Sequence, residues 1–233
     1  MSRRAVRFAD LGNVTYREAW DLQEAIFTKV VDRKTSNRKL PEDERIPTED
    51  TLLFVEHPHV YTLGKSGDLD NLLADGERLK AINAEFFRTN RGGDITFHGE
   101  GQIVGYPILD LDQIYTDIHR YLRDLEEIII LTLNDFGISN AGRKEGLTGV
   151  WVENQKLCAI GVRTSRWVTM HGFALNVNTD LRFFDFIVPC GIRDKAVGSM
   201  QGILGRELDL QEVKARLLER FCEIFSFNSI NAG

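Results

Sequence analysis

The chain has 233 residues, 42% apolar and 27% charged, a mixture that supports a sizeable core and excludes disorder, collagen and coiled coil. Its 35 acidic and 29 basic side chains leave a formal charge of -6, which excludes a protein that holds nucleic acid over its whole surface. Three cysteines, Cys158, Cys190 and Cys222, cannot all pair within the chain and none sits at CxxC spacing, which speaks against a disulfide scaffold or cysteine zinc site and for a reducing compartment.

The opening residues carry arginines but no apolar run, and Asp10 disagrees with a transit peptide. The aliphatic stretch Ile128 to Leu131 is far too short to span a bilayer. The expectation is a soluble cytoplasmic protein with no membrane or nucleic-acid partner. Ala19, Leu22, Ile26 and Val30 recur at helical spacing, predicting a first amphipathic helix near 16 to 31. Residues 32 to 50, strongly charged and holding two prolines, read as an exposed loop.

Thr51 to Glu56 is a short apolar run suited to a buried strand, and His57 to Gly64 leads from it toward a loop. Ile118, Leu122, Leu125, Ile129 and Leu133 form the stripe of a second helix, stopped by Gly137. The period then changes to two. Gly149 to Glu153 and Lys156 to Arg163 flank Asn154-Gln155 as a hairpin, and Trp167 to Val177 supplies a further strand. Asp209 with Glu212 forms a capping box for a last helix whose stripe is Val213, Leu217, Phe221 and Ile224. Strands and helices do not alternate regularly and no repeat or linker is visible, so the reading is one α+β domain over 1–233.

The densest chemistry lies in Arg91-Gly-Gly-Asp-Ile-Thr-Phe-His98-Gly-Glu-Gly-Gln. Glycines let backbone amides approach a ligand while Arg and His supply donors, which suits the wall of a binding site. Neither GxGxxG nor GxxxxGK[ST] is present, so no phosphate loop is supported, and a glycine-rich β-hairpin with a hydrogen-bonded His98 is the plainer reading. Cys190 stands between Pro189 and Gly191, a setting that presents a thiol at the rim of a cleft; a reactive thiol also needs a nearby cation or base. Lys156 heads an apolar strand, and period two puts it on one face with Cys158 and Ile160, which makes Cys158 a rival thiol. An inward Lys156 shares its proton; an outward one merely flanks a turn. Cys222, on the apolar side of the last helix, reads as core. His57, His59, His98 and His171 lack metal-site spacing, so no metal and no cofactor are expected, and His171 is either part of a strand approaching the pocket or a bonded core histidine.

Taken together, Arg91-Gly-Gly, Thr96-Phe-His98-Gly-x-Gly101-Gln102, Tyr106-Pro107, Gly149-Val-Trp-Val, Lys156-x-x-Ala-Ile-Gly161, His171-Gly-Phe-Ala-Leu-Asn176 and Val188-Pro-Cys190-Gly-Ile resemble the lipoyl(octanoyl) transferases, or lipoate-protein ligase B. The match runs in order from about Glu56 through Met200, within a motif-bearing region of about 51–202. The resemblance implies the fold of biotin and lipoate ligase catalytic domains, a mixed sheet flanked by helices. It implies octanoyl transfer from octanoyl-acyl carrier protein to a lysine of apo lipoyl domains of 2-oxoacid dehydrogenases or of the glycine-cleavage H protein. Carried over, Cys190 is the nucleophile and Lys156 the group that lowers its pKa and shuttles the proton. Arg91, Gly92, Gly93, Asp94, Ile95, Thr96, Phe97 and His98, with Ala159, Ile160 and Gly161 and with Gly172, Phe173 and Ala174, line the acyl pocket.

The chain departs from the family pattern at Glu100, where Pro is usual, at Phe97 in place of Tyr, at Cys158 in a small-residue position and at Gly198 in place of Thr. Glu100 sets a carboxylate near the pocket rim. The competing expectations are an ATP-dependent lipoate or biotin ligase, an amidotransferase between lipoyl proteins, and a silent lipoyl-protein binding module. Because carrier protein and lipoyl domain are acidic partners, the resemblance also implies a local basic patch near the cleft, with Arg143, Lys144, Arg163, Arg166, Arg193 and Lys195 as candidates.

Overall fold

A computed structural model describes residues 4–188 and 196–231. The chain opens with β1 (Arg4–Asn13) and enters α1 (Tyr16–Asn37) through a capping box in which Thr15 and Glu18 exchange hydrogen bonds. The helix overruns the loop expected from residue 32, because Lys34 is drawn inward to the carboxylates of Asp110 and Asp112, the latter at 2.7 Å. After the proline-bearing loop come β2 (Asp50–Glu56), β3 (Val60–Leu63), α2 (Gly76–Ala81), β4 (Glu85–Arg88), β5 (Ile95–His98) and β6 (Gln102–Ile108).

Then follow α3 (Ile118–Asp135), β7 (Ala141–Lys144), β8 (Leu147–Val152), β9 (Gln155–Ser165), β10 (Val168–Asn176), β11 (Ala196–Val197), α4 (Met200–Leu204), α5 (Leu210–Phe225) and β12 (Phe227–Asn231). The expected β8–β9 hairpin forms with a shifted turn. Val152 pairs with Gln155, so the two loop residues are Glu153 and Asn154, and Glu153 takes the left-handed conformation at φ 51°. Asp209 caps α5 by accepting from the Gln211 N–H rather than through the expected box with Glu212.

The large sheet runs β12-β1-β2-β6-β10-β9-β8-β7, with β11 added beside β9. It is mixed, being parallel at β12-β1-β2 and antiparallel from β2 to β7. Helix α1 covers one face over Val104, Tyr106 and Met170. Helices α3 and α5 pack together on the other, burying Leu125, Ile129, Leu217 and Phe221 with Leu157 and Cys158. A small sheet, β4-β3-β5, has its own core of Tyr61, Leu63, Ile95 and Phe97. The fold is α+β with a mixed sheet flanked by helices. Among the described residues no helix is long and apolar enough to cross a membrane.

The glycine-rich segment is not a hairpin. β5 pairs with β3 in the small sheet while β6 lies between β2 and β10 in the large one, so the chain changes sheets between His98 and Gln102. Gly101 makes that crossing possible. It holds φ +74°, its N–H donates to Glu56 Oε2 at 3.2 Å, and its carbonyl accepts from the N–H groups of Val177 at 3.3 Å and Asn178 at 2.9 Å. A Cβ there would lie 2.7 Å from the Asn178 carbonyl. Gly101→Ala therefore combines left-handed strain with a backbone clash and should destabilise the fold by about 2–3 kcal/mol. In denaturant titration, Gly142→Ala, with open space and an ordinary φ, should stay within about 0.5 kcal/mol of the parent protein.

Candidate active site

The junction of the two sheets opens as a cleft of about 810 Å³ including its mouth. Period two along β6 turns Gln102, Val104 and Tyr106 toward it, β10 contributes His171 to Ala174 and Asn176, and β9 contributes Lys156 with Ala159, Ile160 and Gly161. The segment before and within β5 adds Arg91, Gly93, Asp94, Ile95, Thr96 and His98. Tyr16, Phe184 and Val197 complete the lining.

Two expected pocket residues sit elsewhere. Phe97 points into the small-sheet core, stacked on Phe183 at 5.1 Å, while its neighbours Thr96 and His98 line the cleft. Gly92 borders an adjoining hollow with Leu122, Leu147, Trp151 and Val162, and its N–H donates to the Val162 carbonyl at 2.9 Å, tying the loop to β9. Cys190, Arg193 and Lys195 lie outside the described residues.

Lys156 faces both hollows, with its ammonium 5.3 Å from the Trp151 ring centroid. Its stem crosses Gly149, where a Cβ would lie 2.6 Å from Lys156 Cε, and the Gly149 N–H is held by buried Glu126 at 2.9 Å. Cys158, the rival thiol, packs in the core with Leu157, and burial pushes its thiol pKa up, which keeps it protonated. Cys222 is half-buried against the same core.

Two charged pocket residues hold structure. Arg91 donates to the Thr62 carbonyl at 2.6 Å, to Thr62 Oγ1 at 2.9 Å and to the Gly92 carbonyl at 3.0 Å. Asp94 accepts from Asn71 Nδ2 at 2.7 Å and from the Ile95 N–H at 2.7 Å. Glu100 is exposed and does not line the cleft. Of the expected basic patch, Arg143 pairs with Glu126 and Glu127 and Arg163 with Glu24 at 2.8 Å, while Arg166 donates to Thr35 and Lys144 to Asn154.

Sequence reasoning gave no role to Tyr16, Gln102, Tyr106 or Asn176, although alternation along β6 and the helix start at Thr15 were signals available for the first three. His57 Nδ1–H donates to the Val14 carbonyl at 2.8 Å, so its Nε2 accepts from the Tyr106 hydroxyl at 2.7 Å. His171 Nε2 donates to Asn90 Oδ1 at 2.7 Å, and Asn90 Nδ2 donates to Glu24 at 3.1 Å. His171 itself stands at φ 58° inside a strand, its N–H taken by Gln23 Oε1 at 3.0 Å, and its Nδ1 is buried without a hydrogen bond. Such strain in a cleft wall is characteristic of functional sites.

Burial lowers the pKa of His57 to about 4 and those of His98 and His171 to about 3. Unfolded imidazoles take up protons below about pH 6.5 and these native ones do not, so their stability contribution is complete above that pH and is lost as pH falls. Asp50, raised to about 6 by burial, opposes this by one proton as the pH falls from about 6. The net is about two protons near pH 5, a slope of about 2.7 kcal/mol per pH unit. Denaturant midpoints measured from pH 7 to 5 should fall accordingly; a flat profile contradicts neutral burial.

The lipoyl protein ligase A/B catalytic domain matches residues 15–222. The chain is 58% identical over 228 residues to an octanoyltransferase of Christiangramia forsetii, covering 95% of this chain and 96% of that one. It is 55% identical to an octanoyltransferase of Flavobacterium johnsoniae, covering 95% and 97%. Among solved structures, lipoate-protein ligase A bound with ATP superposes with a TM-score of 0.69 at 14% identity, covering 100% and 90% of the two chains. The biotin protein ligase of Aquifex aeolicus with biotin and ATP gives 0.52 at 15% identity, covering 94% and 70%.

Proposed function

Since the chain belongs to the octanoyltransferases of the lipoyl protein ligase A/B catalytic-domain family, we propose that it transfers octanoyl from octanoyl-acyl carrier protein to a lysine of apo lipoyl domains, those of 2-oxoacid dehydrogenases and the glycine-cleavage H protein. The supporting observation is the cleft itself. Ile95, Val104, Ile160, Phe173 and Ala174 give it apolar walls suited to an alkyl chain, and Lys156 faces into it.

In this reading Lys156 holds the proton lost by Cys190, the thiolate attacks the thioester carbonyl, the carrier leaves as a thiol with that proton returned by Lys156, and octanoyl-Cys190 remains. The exchange is nearly thermoneutral, one thioester replacing another. The acceptor amine then attacks, an amide forms, and the Cys190 thiolate is released while Lys156 takes the amine proton. Lys156 reaches the site from the first residues of β9, where pairing with β8 and β11 fixes its main chain.

Octanoyl carrier protein should add one octanoyl group to the enzyme, located on Cys190 by mass spectrometry, and a lipoyl domain should then accept it without nucleotide. Cys190→Ala should abolish acylation. Lys156→Ala should lower transfer at neutral pH by about 10²–10⁴-fold. A strict ATP requirement points instead to a ligase, and acylation that survives Cys190→Ser but not Cys158→Ser moves the nucleophile.

A further inference from the structure

Two buried amides with no part in the chemistry above are joined to both sides of the site. Gln102 is 1% exposed and Asn176 4%. Gln102 Nε2 lies 3.2 Å from the Phe97 carbonyl and 2.8 Å from Asn176 Oδ1, two oxygens that an amide nitrogen alone can satisfy together. Asn176 is oriented in turn by its Nδ2, which donates to the Gly198 carbonyl at 3.0 Å. Gln102 Oε1 therefore faces His98 Nδ1 at 2.7 Å, and an acceptor there requires the His98 proton on Nδ1. Reversing either amide would bring like groups together in a dry interior.

The consequences run in two directions. On one side, His98 keeps Nε2 as a bare acceptor in the cleft lining, its ring stacked on Tyr16 at 6.1 Å, and among the described residues no donor engages that nitrogen. On the other, the Gly198 N–H donates to the Lys156 carbonyl at 3.0 Å, and neighbouring Val197 pairs with Lys156. One directed series of hydrogen bonds thus runs from the His98 imidazole through Gln102, Asn176 and Gly198 to the main chain of Lys156.

We propose that Gln102 and Asn176 are positioning residues for octanoyl transfer, holding His98 as the Nδ1–H tautomer and fixing the main chain of Lys156 against the cleft. The proposal rests on the functional reading above. Neither residue has to touch substrate, and both act through another group.

Gln102→Glu and Asn176→Asp keep shape and the accepting oxygen but replace the donor by an oxygen that faces carbonyls. Each should lower kcat for transfer by about a hundredfold, with KM for octanoyl carrier protein within about threefold of the parent. Asn178→Asp is the comparison, because Asn178 makes a similar bond to the Leu208 carbonyl at 2.8 Å without lining the cleft; it should lose stability and retain kcat. A spectroscopic readout separates positioning from simple damage. In the parent protein the His98 ring nitrogens should report Nδ1–H and bare Nε2 throughout about pH 5–8. In Gln102→Glu the new carboxylate beside Nδ1 should let the ring titrate, against the opposing fields of Arg91, His57 and His171 and beside the hydroxyls of Tyr16 and Tyr106.

Retention of kcat in both cleft variants, losses no larger than that of Asn178→Asp, or a parent His98 protonated on Nε2 overturns the proposal. If the parent transfers no octanoyl at all, the functional reading fails, and the ring-nitrogen spectrum alone then decides whether the amides hold His98.

Discussion

Between His98 and Gln102 the chain leaves one sheet and enters another, and the cleft exists because it does so. A continuous hairpin would have stacked β5 beside β6 and closed the space now lined by both. The crossing is held from three directions: Glu56 takes the Gly101 N–H, residues 177 and 178 donate to its carbonyl, and His98 bonds Gln102 across the turn. Glu56 also meets Lys214 of α5 at 3.4 Å, which carries the constraint to the far side of the large sheet. The glycines of this segment thus serve the path of the chain, and the binding surface follows from that path.

Lining a cleft with buried polar groups carries a thermodynamic penalty, because each unpaired one costs about 1–3 kcal/mol. The structure meets it with short directed series: Tyr106 to His57 to the Val14 carbonyl, Glu24 with Asn90 and His171, and Gln102 with Asn176 and Gly198. Three of the groups left without a hydrogen bond lie close together. His171 Nδ1, Gln23 Nε2 and Trp20 Nε1 are all buried without hydrogen bonds, and Gln23 and the Trp20 ring both neighbour the strained His171.

Local periodicity made the helices and the hairpin legible, because burial of a stripe or a face needs only neighbours in sequence. It missed what depends on distant partners. Residues 32–37 read as polar loop, yet Lys34 finds Asp110 some seventy-six positions away. β1 and β12 pair with each other through residues at opposite ends of the chain. The cleft's glycine, His and Lys motifs stood out as unusual local chemistry. Gln102 and Asn176 stood within the family-like motifs but without a role, since an amide in a strand says nothing until its two partners are in place, and Phe97, placed in the pocket by the resemblance, lies in the small-sheet core.

Neutral imidazoles also shape what the cleft admits. His57 and His98 have ring centroids 5.9 Å apart. Two unit charges at that spacing repel by about 3 kcal/mol at an effective dielectric of 20. In the proposed transfer the acceptor lysine arrives as an ammonium, and a charged pair there would oppose it by a similar amount, on top of the Arg91 guanidinium already in the wall. Desolvation removes that opposition by keeping the rings neutral, while Thr62 and the Gly92 carbonyl give Arg91 its partners on the side of the small sheet. In the proposed transfer, the aromatic and amide packing that makes the histidines poor bases would therefore ease the approach of a primary amine to Lys156.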